Sequence, residues 1–237
     1  MESYTYLLLN LFTVSYPLAR SFEHRIRFVE KWRYLFPATI LSAFLFILWD
    51  ILFTNLGVWS FNPTYLTGIY LSVLPVEEWM FFITVPFACL FIYEVLRYFF
   101  SNFAQRVPHR TISVALLPVL LLGLALNFGR IYTTVSFTFA IVLLCLQLFV
   151  IKGTYMGRFY LTYLVSLVPF LLVNGVLTAL PVVSYNPDHI IGIRIYTIPI
   201  EDAVYNLSLL LMVVSIYEYL IQKAKKHEPN KETIQRL

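Results

Sequence analysis

The chain has 237 residues, of which 59% are hydrophobic, 18% aromatic and only 13% charged, with a formal net charge of +4. Soluble domains carry about 25% charged residues, so this composition excludes an ordinary soluble domain, and a mean hydropathy of +0.76 fits a chain that lives in lipid. The positive charge does not point to nucleic acid, because the basic residues sit between apolar stretches, where topology signals belong.

In chain order, seven apolar segments predict spanning helices near 3–19, 34–54, 75–97, 111–128, 131–151, 158–180 and 198–221, each close to the roughly 20 residues a bilayer requires. The first is preceded by one acid, Glu2, with no basic leader and no small-residue cleavage site, so it reads as a helix rather than a cleaved signal. Arg20, Arg25, Arg27, Lys31 and Arg33 follow it. The third loop holds Arg97, Arg106 and Arg110, and the fifth holds Lys152 and Arg158. Beyond the last segment come Lys223, Lys225, Lys226, Lys231 and Arg236. These are 15 of the 17 basic residues, all on one side; only Arg130 and Arg194 fall on the other. The split places the N-terminus outside and the C-terminus in the cytoplasm. The segment 223–237 is a charged tail, expected to fray. Cys89 and Cys145 lie inside apolar segments without CxxC spacing and read as buried free thiols.

A shift of 124 residues aligns 50–94 with 174–218 without a gap, and 13 of the 45 positions are identical. The identities fall mostly on polar and turn-forming residues: Asn62-Pro63 with Asn186-Pro187, Gly68 with Gly192, Pro75 with Pro199, Glu77 with Glu201, and Tyr93-Glu94 with Tyr217-Glu218. Shared apolar composition does not explain them. The expected fold is an all-α integral membrane protein with about seven transmembrane helices, arranged as two parallel three-helix repeats around a linker helix. The corresponding divisions are 1–97, a linker over 98–130, 131–222, and the tail. The odd linker gives both repeats the same orientation, so their equivalent ends should face one another.

Those ends carry the concentrated chemistry. Ser60-Phe61-Asn62-Pro63 leads to Pro75-Val76-Glu77-Glu78, and Ser184-Tyr185-Asn186-Pro187 leads to Pro199-Ile200-Glu201-Asp202. Proline suits the first helical turn, and the acids behind it suit the positive end of the helix dipole. Capping alone would account for one such pair. Two pairs at a fixed offset, each behind an Asn-Pro segment and each at the edge of the apolar zone, favour function, because intramembrane carboxylates are costly and rare. Adjacent buried carboxyls repel, so one of each pair can stay protonated and serve as a proton donor. Asn62 and Asn186 either form turns or orient these acids. Asp50, opposite Asn174 in the alignment, is either an inter-helix contact or part of the site. Glu94 and Glu218 lie near the basic edge and are expected to pair with Arg97 or Lys223. The chain has no G-x-G fingerprint, no aspartate-rich diphosphate motif and no histidines at metal-ligand spacing.

The doubled P-x-E-(E/D) motif, the Asn-Pro before each copy and the three-plus-one-plus-three order resemble the membrane-embedded lycopene cyclases, with both halves in one chain over nearly all of 1–222. The resemblance implies a carotenoid-biosynthesis isomerase of the intramolecular lyase type. It would close the ψ ends of lycopene to β-ionone rings without net redox change, with no cofactor and no metal. On this resemblance Glu77 and Glu201 match the motif's glutamate and are expected as proton donors or bases. Glu78 and Asp202 match its second acid and would tune them. Trp59, Phe61, Trp79, Phe81, Tyr185 and Tyr205 are candidates to face the carbocation. The second half has Val183, Ala203 and Asn206 where the first has Trp59, Trp79 and Phe82, which argues against equal activity of the halves. The expected partners are lycopene or a similar linear carotenoid and membrane lipid. Self-association, or association with other carotenoid enzymes, is left open. Paired carboxylates in parallel repeats also suit a proton-coupled transporter, and a hydratase acting on the same end group would share the motif.

Overall fold

The computed structural model describes residues 2–227; of the charged tail, 228–237 lie outside the described residues. Among the described residues eight α-helices form: α1 Thr5–Arg20, α2 Trp32–Asn55, α3 Val76–Phe99, α4 Ser101–Arg106, α5 His109–Leu126, α6 Ile131–Cys145, α7 Met156–Ala179 and α8 Ile200–His227. A π-helical turn, Leu146–Ile151, continues α6. All seven apolar segments are helical, but among the described residues six rather than seven helices are long enough by themselves to cross a membrane. The exception is α1: its 16 residues span roughly 24 Å at 1.5 Å per residue, short of a hydrocarbon core of about 30 Å. The short α4 was not foreseen; it fills the loop between the third and fourth apolar segments.

The repeat recurs in the element bounds. α2 and α7 begin and end 124 residues apart, and α3 and α8 begin 124 residues apart. The connections ahead of α3 and α8 are matched in the same way. Each contains a three-residue strand, a 3-10 turn behind Asn-Pro, and a two-stranded hairpin. The first has β1 Trp59–Phe61, β2 Tyr70–Leu71 and β3 Leu74–Pro75; the second has β4 Val183–Tyr185, β5 Arg194–Ile195 and β6 Ile198–Pro199. From sequence alone the segments 56–74 and 181–198 read as loops, re-entrant turns or short interfacial helices, and the structure makes short strands of part of each. They form because backbone at the membrane edge must satisfy its own polar groups. β1 pairs with β4 antiparallel, Trp59 opposite Tyr185 and Phe61 opposite Val183. Asn62 N donates to Val182 O and Asn186 N to Val58 O, each at 2.9 Å. The two halves are thus stitched together directly above the starts of α3 and α8. Strand alternation turns Trp59 and Phe61, with Val183 and Tyr185, toward the helices and leaves Ser60 and Ser184 exposed.

At the far end of the bundle the two halves exchange hydrogen bonds. Tyr93 Oη donates to Glu218 Oε1 at 2.5 Å, and Tyr217 Oη donates to Glu94 Oε1 at 2.9 Å. Arg97 lies 3.3 Å from Glu94 and 3.7 Å from Glu218. Glu218 meets Arg158 at 3.4 Å, so its basic partners come from α7 and α3 rather than from Lys223. A lysine one turn on along the same helix points away from this interface; the arginines reach it from packed neighbours. The crossed tyrosines fasten α3 to α8. Tyr217→Phe is expected to lower stability by about 1–3 kcal/mol, the cost of stranding a buried partner, read as an earlier unfolding transition in detergent.

Candidate active site

Proline ends each hairpin and fixes where the next helix begins. Pro75 is the N-cap of α3 with φ −65° and ψ 150°, and α8 begins at Ile200 behind Pro199. Both acids of each motif then fall in the first turn, and they diverge because successive helical residues point about 100° apart.

Glu77 and Glu201 turn outward from the helix start toward their own connections. Each is fully buried. Glu77 Oε1 accepts from Thr67 N at 2.7 Å; Glu201 Oε1 accepts from Ile191 N at 2.6 Å and from Thr133 Oγ1 at 2.6 Å. Asn10 Nδ2 donates to the Glu77 carbonyl at 3.0 Å, and Asn10 Oδ1 accepts from Thr84 Oγ1 at 2.7 Å. Gly68 and Gly192, one residue beyond the two N–H donors, take φ of +82° and +90°, a backbone open to glycine without strain. That glycine turn is what aims each N–H at its glutamate.

Glu78 and Asp202 turn inward and line one small cavity of about 60 Å³ between the halves. Tyr6 Oη donates to Glu78 Oε2 at 2.6 Å. Asp202 is gripped by three donors: Tyr132 Oη on Oδ1, and Tyr185 Oη and Asn174 Nδ2 on Oδ2, each at 2.7 Å. Asp50 is a third carboxyl on the same wall, 3% exposed, and its Oδ2 has no protein partner. Tyr205 Oη and Asn206 Nδ2, also on the wall, likewise lack one. Burial first, and then the adjacent Asp202 carboxylate, push the Tyr185 hydroxyl well above its ordinary value, so it remains a hydrogen-bond donor at any physiological pH.

Aromatic rings close the rest of the cavity. Trp59 meets Tyr132 edge-on at 5.1 Å between centroids, and Tyr185 and Tyr205 at 6.3 Å each. Tyr132 and Tyr185 stack at 6.0 Å with an interplanar angle of 7°. Phe61 and Phe81 complete the lining.

Of the residues singled out from sequence, the structure brings Asp50, Trp59, Phe61, Glu78, Phe81, Tyr185, Asp202 and Tyr205 to this cavity. Glu77 and Glu201 lie behind its wall. Asn62 and Asn186 form turns: their Oδ1 atoms accept from Thr64 N and Asp188 N at 3.1 and 3.0 Å. Trp79 faces a separate lipid-side groove and donates to Leu71 O at 3.2 Å. Sequence reasoning missed Tyr6, Tyr132 and Asn174. Tyr6 and Tyr132 hold equivalent acids but are 126 residues apart, so the 124-residue shift that reveals the repeat does not align them. Asn174 stood in the alignment opposite Asp50. Among the described residues no group of three or more His, Cys, Asp or Glu side chains is placed to hold a metal ion.

Carboxyl groups inside an aromatic cavity, in a bundle where six of the described helices are long and apolar enough to cross a membrane, form a site that can exchange protons with an apolar ligand. A family model described as "Lycopene cyclase" matches residues 3–96 and 129–220, and the chain belongs to this family. Membership carries carotenoid cyclisation, an isomerase-type reaction, with lycopene as the substrate. The two matched segments correspond to the two halves of the repeat. No curated protein and no solved structure matches the chain.

Proposed function

We propose that the protein is a lycopene β-cyclase in which Glu78 and Asp202, rather than Glu77 and Glu201, transfer the protons. The observation that carries this reading is their shared cavity: the second acid of each motif faces the space, and the first is occupied by backbone N–H groups. Glu78 accepts a single hydrogen bond, from Tyr6, and is the group that delivers a proton to the terminal trisubstituted alkene of the ψ end. The tertiary cation so formed is attacked by the next suitable double bond of the same chain, which closes the ring and moves the positive charge onto it. Asp202, aimed by three donors, takes a ring proton, and the electrons of that C–H bond form the ring alkene. One proton enters and one leaves, so the reaction is an isomerisation with no redox change. Trp59, Tyr132, Tyr185 and Tyr205 offer π faces to the cation, and Asp50 adds a third carboxyl to the same wall.

In this reading 1–97 and 131–222 are parallel three-helix repeats joined by 98–130. The matched bounds of α2 with α7 support it, as do the reciprocal Tyr–Glu bonds. The N-terminus lies outside and the C-terminus in the cytoplasm, an orientation supported by the 15 of 17 basic residues on one side. Expression in cells that accumulate lycopene should convert it to one-ringed and then two-ringed carotene on pigment analysis. Unchanged lycopene beside confirmed membrane insertion would refute the reading.

A further inference from the structure

The acid cavity is too small for more than an end group, so a long polyene needs a second space continuous with it. One exists. A cleft of about 360 Å³ between α1, α3 and α7 shares Phe81, Phe170, Asn174 and Asn206 with the cavity. Its lining contains no charged residue. Tyr16, Phe91 and Ile92 carry it on into a further space of about 370 Å³, which ends among Arg20, Glu23 and Arg25. The path follows α1 from Tyr6 to Arg20, roughly 20 Å at 1.5 Å per residue. It therefore has an acid end, an apolar barrel and a charged mouth at the opposite edge of the bundle.

The equivalent path in the other half is blocked. Phe46, the counterpart of Phe170, is fully buried among four packed rings. Tyr205 lies 5.0 Å from it, Trp49 5.5 Å, Phe139 5.8 Å and Phe82 6.4 Å, centroid to centroid. On the open side the positions equivalent to Trp49, Phe139 and Phe82 hold Val173, Thr13 and Asn206. Three small or slender side chains thus stand where three rings close the other path.

We propose that the α1–α3–α7 cleft is the single binding groove for the polyene chain of the substrate, its end group resting between Glu78 and Asp202 while the rest of the chain runs toward Arg20. The proposal rests on the cyclase reading and commits to a linear polyene rather than a lipid acyl tail, because the groove shares four wall residues with the cavity that holds the acids. One groove serves one end at a time. A substrate with two ends must withdraw and reinsert, so one-ringed product is released between visits.

The test copies the blocked half into the open one. Thr13→Phe combined with Val173→Trp should cut lycopene turnover roughly 100-fold, the scale of loss when a reacting group is displaced. The mirror change Phe139→Thr should leave turnover near that of the unaltered protein. Thermal unfolding in detergent checks that each variant folds. A second measurement needs no activity. With Cys89→Ala and Cys145→Ala as background, Thr13→Cys should be shielded from a maleimide by added lycopene, and Phe139→Cys should not. Plugged protein that turns over normally, or Thr13→Cys labelled equally with and without lycopene, overturns the groove. Shielding of Thr13→Cys in a protein that converts no lycopene would keep the groove and overturn the cyclase reading instead.

Discussion

Glu78→Gln and Asp202→Asn should each lower ring closure by roughly 100-fold or more, the usual share of a positioned acid or base. Both amides keep the size of the carboxyl they replace, so the cavity and its aromatic wall persist. Gln at 78 still accepts from Tyr6 but has no proton to give to an alkene. Asn at 202 fails differently. Tyr132, Tyr185 and Asn174 all donate to this side chain; an amide N–H turned toward Asn174 Nδ2 meets a donor, one turned toward Tyr132 makes that hydroxyl reverse, and no atom is left to take the ring proton. The double variant should be little worse than either alone, because acid and base serve the same turnover. Tyr6→Phe removes one hydrogen bond and leaves the acid, so its loss should be the smallest of the series. Membrane-inserted Glu78→Gln protein that makes normal amounts of cyclic carotene would remove Glu78 from the chemistry.

The helices, their order and the doubled acid motif were legible because each leaves a local mark: a run of apolar residues, a proline at a helix start, an identity repeated at a fixed offset. Which acid of each pair faces the substrate was not. Glu77 and Glu78 are neighbours with the same side chain, and only the course of the connection decides which one meets an N–H and which a cavity. That course depends on the pairing of β1 with β4, a contact between residues more than a hundred positions apart. The tyrosine donors escaped for a related reason. Equivalence in space between Tyr6 and Tyr132 survives a two-residue change in spacing between the halves, whereas a fixed-offset alignment does not. The asymmetry that leaves one path open was visible only in part. Asn206 opposite Phe82 stood in the alignment, but Thr13 opposite Phe139 lies in the shifted segment, and neither pair shows its effect until Phe46 is placed among the rings it contacts.

The division of labour between neighbouring acids predicts opposite behaviour for Glu77 and Glu201. If their role is to hold the connections above the site, what matters is an acceptor at Oε1 rather than a proton. Glu77→Gln and Glu201→Gln keep that acceptor. Each Oε2 has no protein partner, so the amide nitrogen placed there breaks no existing bond, and both variants should fold and retain much of their turnover. Alanine at either position is another matter. It strands the part-buried N–H of Thr67 or Ile191 and leaves a void at a site with no exposure. An unsatisfied buried donor alone costs about 1–3 kcal/mol. Glu201→Ala should be the worse of the two, since Thr133 Oγ1 loses its acceptor as well. The expected signs are a lower unfolding temperature in detergent and faster proteolytic nicking near 63–71 or 187–195. Activity should fall in step, because the freed connection carries Trp59 and Phe61, or Val183 and Tyr185, away from the cavity they roof. The contrast between Gln and Ala separates support from catalysis. Loss of turnover in Glu77→Gln protein with unchanged unfolding would return Glu77 to the proton path, whereas loss confined to the alanine variants fixes it as the strut that keeps Glu78 facing the substrate.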